Sequence, residues 1–425
     1  MPRSPCIRSR AARFARLALI AVLGAGAFSC AEIGPATRAP ASSASGHVAA
    51  RGSAAEGALP SSAAQAEALG PAAATAGSPG GAEGAGAEVP EGSGQALPAA
   101  TLPPPATTDL IAIVLPLDEP AFARAATAVR DGFLDSAQLA GAKDRCVVIG
   151  YGRDGVVAGF ADALARGVRV AVGPLVRSDL AALAASGATL PWTLALNQLE
   201  DTAPLPPAIY TFPLSVDSDA RLLARQARAD GAHTLDIVEG ETPLMHRLAK
   251  TFAGTWTSQG GSAPADFAFD ASPQALVDLR DALAKSPPDA VLLALNSRHA
   301  SLVKPFLGTV ATYASALVFE RPTLATAHDL DGIRVAEIPW LLTPDAPRFA
   351  ALTPRDTDSD ALERLYAFGF DAFHVAVSFR DGPPQSFDLD GATGHITLGP
   401  GRRFVREAAL GVYRDGQLVP LDASP

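Results

Sequence analysis

The chain has 425 residues, 48% of them apolar but only 6% aromatic, and carries a formal net charge of −10 at pH 7. That length leaves room for two or three domains of ordinary size. The acidic balance, with no basic cluster interleaved with aromatics, argues against nucleic acid and anionic membrane surfaces as partners.

Arg3, Arg8, Arg10, Arg13 and Arg16 form a basic region ahead of the apolar core LALIAVLGAGAF. The core is too short for an ordinary transmembrane helix, and with the small residues before Cys30 it reads as an export signal over residues 1–29. AFSC resembles a bacterial lipobox, whose cysteine thiol takes up diacylglycerol and becomes the new N-terminus; cleavage nearby without a lipid is the plainer alternative. Ala31 stands where an aspartate would retain such a lipoprotein at the inner membrane, which implies sorting to the outer membrane and its periplasmic face. Without the five signal arginines the formal charge becomes −15. Residues 30–107 are mostly alanine, glycine, serine and proline with no apolar periodicity, a composition that does not bury enough surface to offset its ordering entropy. Such a tether has a root-mean-square span of roughly 50 Å and a full reach of about 250 Å. Of the other two cysteines, Cys6 lies in the export signal, and Cys146 opens the apolar run CVVI and reads as a buried thiol.

Folded sequence is expected over residues 108–425. LIAIVLPL is a continuous apolar run, the pattern of a strand covered on both faces. A helix striped by Phe122, Ala126, Val129 and Phe133 follows. The strand CVVIGY, a helix from Val156 to Arg166, the strand VRVAVGPL and a helix opening at Ser178 come next, then WTLALN and IYTFPL. The alternation restarts with HTLDIV and continues through ADFAF, AVLLAL and ALVFE. Their intervening helices are striped by Leu244, Leu248, Phe252 and Trp256, by Leu276, Leu279 and Leu283, and by Leu302, Val303 and Phe306. GIRVAEIPWLL leads back to a long helix from about Ser359, striped by Leu362, Tyr366, Phe370, Phe373 and Val377. The tail segments GHITL, FVREAALGVY and QLVPL are separated by GPGR and RDG, which are hairpin turn signals. Strands alternating with helices predict an α/β fold of parallel sheets flanked by helices. Two such sets with a return crossing suggest two lobes around a cleft. Lobe 1 is expected at about 108–213 and 339–390, lobe 2 at about 214–338, and a terminal β segment at 391–425.

VGPLVRSDLAAL, LALNQL, DLDGIRVAEIPWLL, RLYAFGFDAF and LDGATGHITLGPGRRFVRE occur in the order seen in the LppC/LpoA lipoproteins, and the chain resembles that family from about Leu110 to Leu421. The resemblance implies a two-lobed type I periplasmic-binding-protein-like fold, with hinge crossings between the lobes. It further implies an outer-membrane activator of class A penicillin-binding proteins, the peptidoglycan synthases. Longer family members carry a helical-repeat domain ahead of this body, where this chain has the low-complexity tether.

The cleft candidates follow from the expected fold. Leu175, Ser178 and Asp179 surround the start of the third helix. Its free N–H groups and positive dipole end suit an anion, and capping by Ser178 or Asp179 is the simpler alternative. Asn197 and Gln198 end the fourth strand, where open α/β sheets form their crevice; either amide binds a polar ligand or ties down its loop. Tyr210 and Asp217 flank the first crossing and are hinge candidates. Trp340 is either an anchor for a protein partner, if exposed, or packing beneath the return crossing.

Other motifs carry less. GYGRDG fits a dinucleotide pattern, but it follows the second strand and lacks the later acid for a ribose, so a glycine-rich turn is the better reading. Asp356, Asp358 and Asp360 alternate as in a calcium loop, but Ala361 and Ala367 stand where glycine and glutamate belong. Asp371 lies opposite its helix's apolar stripe, where solvent or a polar tie would account for it. No zinc-protease, nucleophile-elbow or phosphate-loop motif is present. Neither an enzyme nor a cofactor or metal is expected. Two functions remain: a regulator that binds a class A penicillin-binding protein, or a periplasmic receptor closing on an amino acid or similar small polar ligand.

Overall fold

The computed structural model describes residues 108–199, 204–319, 327–353 and 359–422. The export signal, Cys30, the tether, Asp356 and Asp358 lie outside the described residues. Lobe 1 opens with β1 (Ile111–Leu115), α1 (Ala123–Leu139), β2 (Cys146–Gly150), α2 (Gly155–Ala165), β3 (Val170–Val172), α3 (Arg177–Ala185), β4 (Trp192–Ala195) and β5 (Ile209–Thr211). Lobe 2 contains α4 (Val216–Ala229), β6 (Leu235–Glu239), α5 (Pro243–Ser258), β7 (Ala265–Ala268), α6 (Pro273–Lys285), β8 (Ala290–Ala294), α7 (Ser297–Leu307), β9 (Ala311–Ser315) and β10 (Ile333–Glu337). The chain then returns through α8 (Pro339–Leu342) and α9 (Asp360–Val377) to β11 (Asp388–Asp390), β12 (His395–Gly399), β13 (Arg403–Glu407), β14 (Ala409–Arg414) and β15 (Gln417–Pro420).

The first sheet runs β11-β12-β13-β5-β4-β3-β1-β2 and the second β15-β14-β10-β9-β8-β6-β7. Each has a parallel centre, as crossover helices require, with antiparallel strands added at one side. The tail is therefore shared between the sheets. FVRE is β13 of the first sheet, Ala408 is the crossing, and ALGVYR is β14 of the second. The chain passes between lobes three times among the described residues: after β5, after β10 and at Ala408. This is an α/β fold of two sheets, each covered by helices on both faces. In lobe 1, α1 and α9 bury one sheet face and α2 and α3 the other; in lobe 2 the pairs are α4 with α5 and α6 with α7.

Helix α9 seats its return against α1 with backbone against backbone. A Cβ added to Gly132 would lie 1.9 Å from the Tyr366 carbonyl oxygen, and one added to Gly369 would lie 1.9 Å from that of Val129. Glycine is therefore required at both positions by the closeness of the helices.

Two expectations shift. ALVFE is not a strand: the strand is ATYAS, and Ala316–Val318 forms a 3-10 turn because the Ser315 hydroxyl accepts from the Leu317 N–H. In α7 the buried residues are Ala300, Val303 and Leu307, while Leu302 and Phe306 stay exposed.

Candidate functional site

The loops leaving β3, β4, β5 and β10 converge with α9 and β13 on a cavity of about 140 Å³ between the lobes, room for about five water molecules. Its wall mixes aliphatic side chains (Leu175, Leu196, Leu214, Leu317) with Phe368 and a set of charged groups: Arg177, Asp219, Arg247, Glu337, Arg364 and Arg406.

The VGPL turn shapes one wall. Gly173 has φ +124°, and a Cβ there would lie 2.1 Å from the Val114 carbonyl oxygen, so only glycine lets the chain leave β3 beside β1. Leu175 then lines the cavity and is buried. The start of α3 departs from expectation. Its N-cap position is Val176, with no side-chain cap. Ser178 is exposed. Asp179 is half-buried and accepts from the Tyr151 hydroxyl at 2.6 Å; burial and this contact together push the Tyr151 phenol upward. Neither Ser178 nor Asp179 is among the cavity's lining residues, whereas Arg177 is.

Asn197 and Gln198 both line the cavity and are buried. The Asn197 amide donates to the Leu175 carbonyl at 2.9 Å and its oxygen accepts from the Gln198 N–H at 2.8 Å, so it ties the β3 and β4 loops together. The Gln198 side chain donates across the crossing to Asp217 at 3.2 Å. Asp217 sits in the first turn of α4, which Ser215 caps. It also accepts from Arg247 Nε at 2.8 Å and from the Thr251 hydroxyl at 3.1 Å. Burial opposes its charge, but the Arg247 guanidinium holds the carboxyl below its ordinary range.

Tyr210 lies in the lobe 1 core rather than in a hinge. Its ring meets Phe379 at 5.0 Å and Trp192 at 6.4 Å. Trp340 is 1% exposed and packs on Tyr366 at 5.7 Å within a cluster containing Phe349 and Leu352, so it offers no surface to a partner. Asp371 is buried rather than solvated. Its carboxylate accepts from the Ala392 N–H at 2.9 Å, the Thr393 N–H at 2.7 Å and the Thr393 hydroxyl at 2.6 Å. Desolvation nevertheless raises its pKa to about 6.

The sequence reading missed the charged groups of the cavity. Arg364 Nε donates to Glu337 at 3.0 Å, and its Nη2 donates to the carbonyls of Ala316 and Phe319, each at 3.1 Å. Arg406 pairs with Asp219 and donates to the Thr393 carbonyl at 3.0 Å. Burial pushes the Asp219 carboxyl upward against the pull of Arg406. A signal did exist. Arg406 shares strand parity with buried Phe404, and Glu337 with buried Ile333 and Val335; a charge on the buried face of a strand demands a partner.

Among the described residues, no group of three or more His, Cys, Asp or Glu side chains is placed to hold a metal ion, and no helix is long and apolar enough to cross a membrane.

Comparison with known proteins places these features. The family model described as "LppC putative lipoprotein" matches residues 105–416. The penicillin-binding protein activator LpoA of Edwardsiella ictaluri is 27% identical over 302 residues, covering 60% of this chain and 44% of that protein. The protein of the same name from Escherichia coli K12 is 26% identical over 305 residues, with the same coverage of 60% and 44%. The chain thus spans less than half the length of these curated relatives. Among solved structures, the LpoA C-domain of Haemophilus influenzae, described as a regulator of PBP1A, superposes with a TM-score of 0.64 at 22% identity, covering 73% of this chain and 99% of that one. A Chromobacterium violaceum structure described as a "putative branched-chain amino acid ABC transporter" superposes with a TM-score of 0.62 at 33% identity, covering 71% and 99%. With a match that runs through both lobes and all three crossings, the chain belongs to the LppC family.

Proposed function

We propose that this chain is a lipid-anchored envelope protein, held at the outer membrane through Cys30, whose bilobed body binds a class A penicillin-binding protein and raises its peptidoglycan synthase activity. The observation that carries the reading is the family match over 105–416, which takes in nearly the whole described body, together with curated relatives named as activators of such synthases. The chemistry of the cavity agrees with a binding role. Its carboxylates are engaged by arginines, and its amides are engaged by the backbone and by Asp217. An activator of this kind needs no reaction of its own. It binds the active conformation of the synthase more tightly than the inactive one and so shifts the population. The tether over residues 30–107 gives the body the reach to find a synthase away from its anchor.

The test is glycan-strand synthesis by a class A penicillin-binding protein from the same cell envelope, with and without the purified chain. A several-fold faster rate, with the synthase co-purifying on the immobilised chain, supports the reading. An unchanged rate with no retained synthase defeats it.

A second reading, a receptor for an amino acid, draws on the 33% identity to the Chromobacterium violaceum structure. Thermal melting across a metabolite panel separates the two, because a tightly bound solute raises the melting temperature by mass action.

A further inference from the structure

Across the lobe junction the buried polar pairs share one sense, while the exposed Arg225 of α4 pairs with Glu407 of β13 in the opposite one. Lobe 1 supplies the donors: Arg364 from α9, Arg406 from β13 and the Gln198 amide after β4. Lobe 2 supplies the acceptors: Glu337 at the end of β10, the carbonyls of Ala316 and Phe319, and Asp217 and Asp219 on the first turn of α4. The charged members are withdrawn from solvent. The Glu337 side chain is 0% exposed and Arg364 14%, and the Arg406 side chain is 2% exposed and Asp219 9%.

Each arginine is held at more than one point. Arg364 reaches both oxygens of Glu337 as well as two carbonyls of the turn after β9. Arg406 joins Asp219 of lobe 2 to the Thr393 carbonyl of lobe 1, and Thr393 is itself fixed by Asp371 on α9. A planar guanidinium has a rigid fork of donors, so such contacts tolerate little rotation of one partner against the other. Turning the lobes apart would have to break both ion pairs and the guanidinium–carbonyl bonds together. Turning them together would have to displace the same groups from the cavity.

We propose that these buried pairs clasp the two lobes in one relative orientation, so that the body is a fixed two-lobed scaffold and does not open and close around a solute. Double electron–electron resonance on the full chain tests this. Spin labels go at Ala185→Cys on α3 and Ala284→Cys on α6, both exposed positions, with Cys6→Ala, Cys30→Ala and Cys146→Ala removing the native thiols. The otherwise native clasp is expected to give a single narrow distance distribution. That distribution stays unchanged by a panel of amino acids and by 1 M salt, which screens exposed pairs far more than buried ones. Arg364→Met with Arg406→Met is expected to broaden it. Arg364→Lys with Arg406→Lys, which keeps the charge but loses the fork, is expected to broaden it less. A broad or two-peaked distribution with the clasp intact, or a shift on adding any solute, overturns the proposal. So does an unchanged distribution in the methionine variant once circular dichroism shows that variant to be folded. If that variant does not fold, the unsubstituted clasp and its solute panel still decide the matter.

Discussion

The first three helices of lobe 1 and the long helices of lobe 2 start by different means. In lobe 2 every long helix has a side-chain cap: Ser215 on α4, Thr242 on α5, Ser272 on α6 and Asn296 on α7. In lobe 1 the positions before α1, α2 and α3 are Phe122, Asp154 and Val176, and none of them makes a side-chain cap; the returning α9 does have one, from Ser359. Lobe 2 is also nearly continuous in sequence, whereas lobe 1 is completed by α9 and β11–β13 after the chain has left it and come back. The comparison teaches that lobe 2 carries its boundaries locally, while lobe 1 depends on a distant segment packing against it.

Four outcomes would break or sharpen that contrast. The largest effect is expected where the lobes meet. Glu337→Ala leaves the Arg364 guanidinium buried with only carbonyl partners and is expected to cost about 3–5 kcal/mol in denaturant unfolding. Glu337→Met combined with Arg364→Met, which removes both charges and keeps volume, is expected to cost much less; equal losses would show that the pair acts through shape alone. Next comes the return of α9. Gly369→Ala forces a Cβ into the Val129 carbonyl and is expected to cost about 3 kcal/mol, the upper end of ordinary overpacking. Hydrogen exchange should rise over α1 and the first sheet more than over α4–α7 if lobe 1 depends on this contact.

The third outcome concerns pH. Burial raises the Asp371 pKa to about 6 from the ordinary 3.8, so the folded state favours the protonated acid. The corresponding stabilisation, on the order of 3 kcal/mol, is fully present below about pH 4 and is lost as pH rises through about 6. Asp371→Asn should flatten that part of the stability profile, and an unaltered profile would show that the slope arises elsewhere. The smallest effects test the caps. Thr242→Ala is expected to cost about 1 kcal/mol, whereas Ser178→Ala, at an exposed residue with no capping bond, is expected to stay within about 0.5 kcal/mol. Equal costs would erase the difference between the lobes.

Much of the fold was legible in the residues. The continuous apolar runs gave the buried parallel strands, and GPGR and RDG gave the two tail hairpins β12–β13 and β14–β15. The site was legible only in part. Leu175, Asn197 and Gln198 line the cavity because they follow the strands that point into it. Ser178, Asp179, Tyr210 and Trp340 lie elsewhere: on an uncapped helix start, against Tyr151, and within the aromatic packing of lobe 1. The misassigned ALVFE strand has a local cause, since Ser315 caps a turn that an apolar run alone does not reveal.

Taken by itself, the sequence determined which residues alternate between strand and helix, which faces they bury, and where lobe 2 begins its helices, because periodicity and caps act over a few neighbouring residues. The tertiary structure alone decided that the tail divides between two sheets at Ala408, that Trp340 is enclosed, and that Arg364 and Arg406 join the lobes. Those pairs span 27 and 187 residues of chain. A charge on a buried face announces that it needs a partner, but only the packing of remote elements brings that partner within reach.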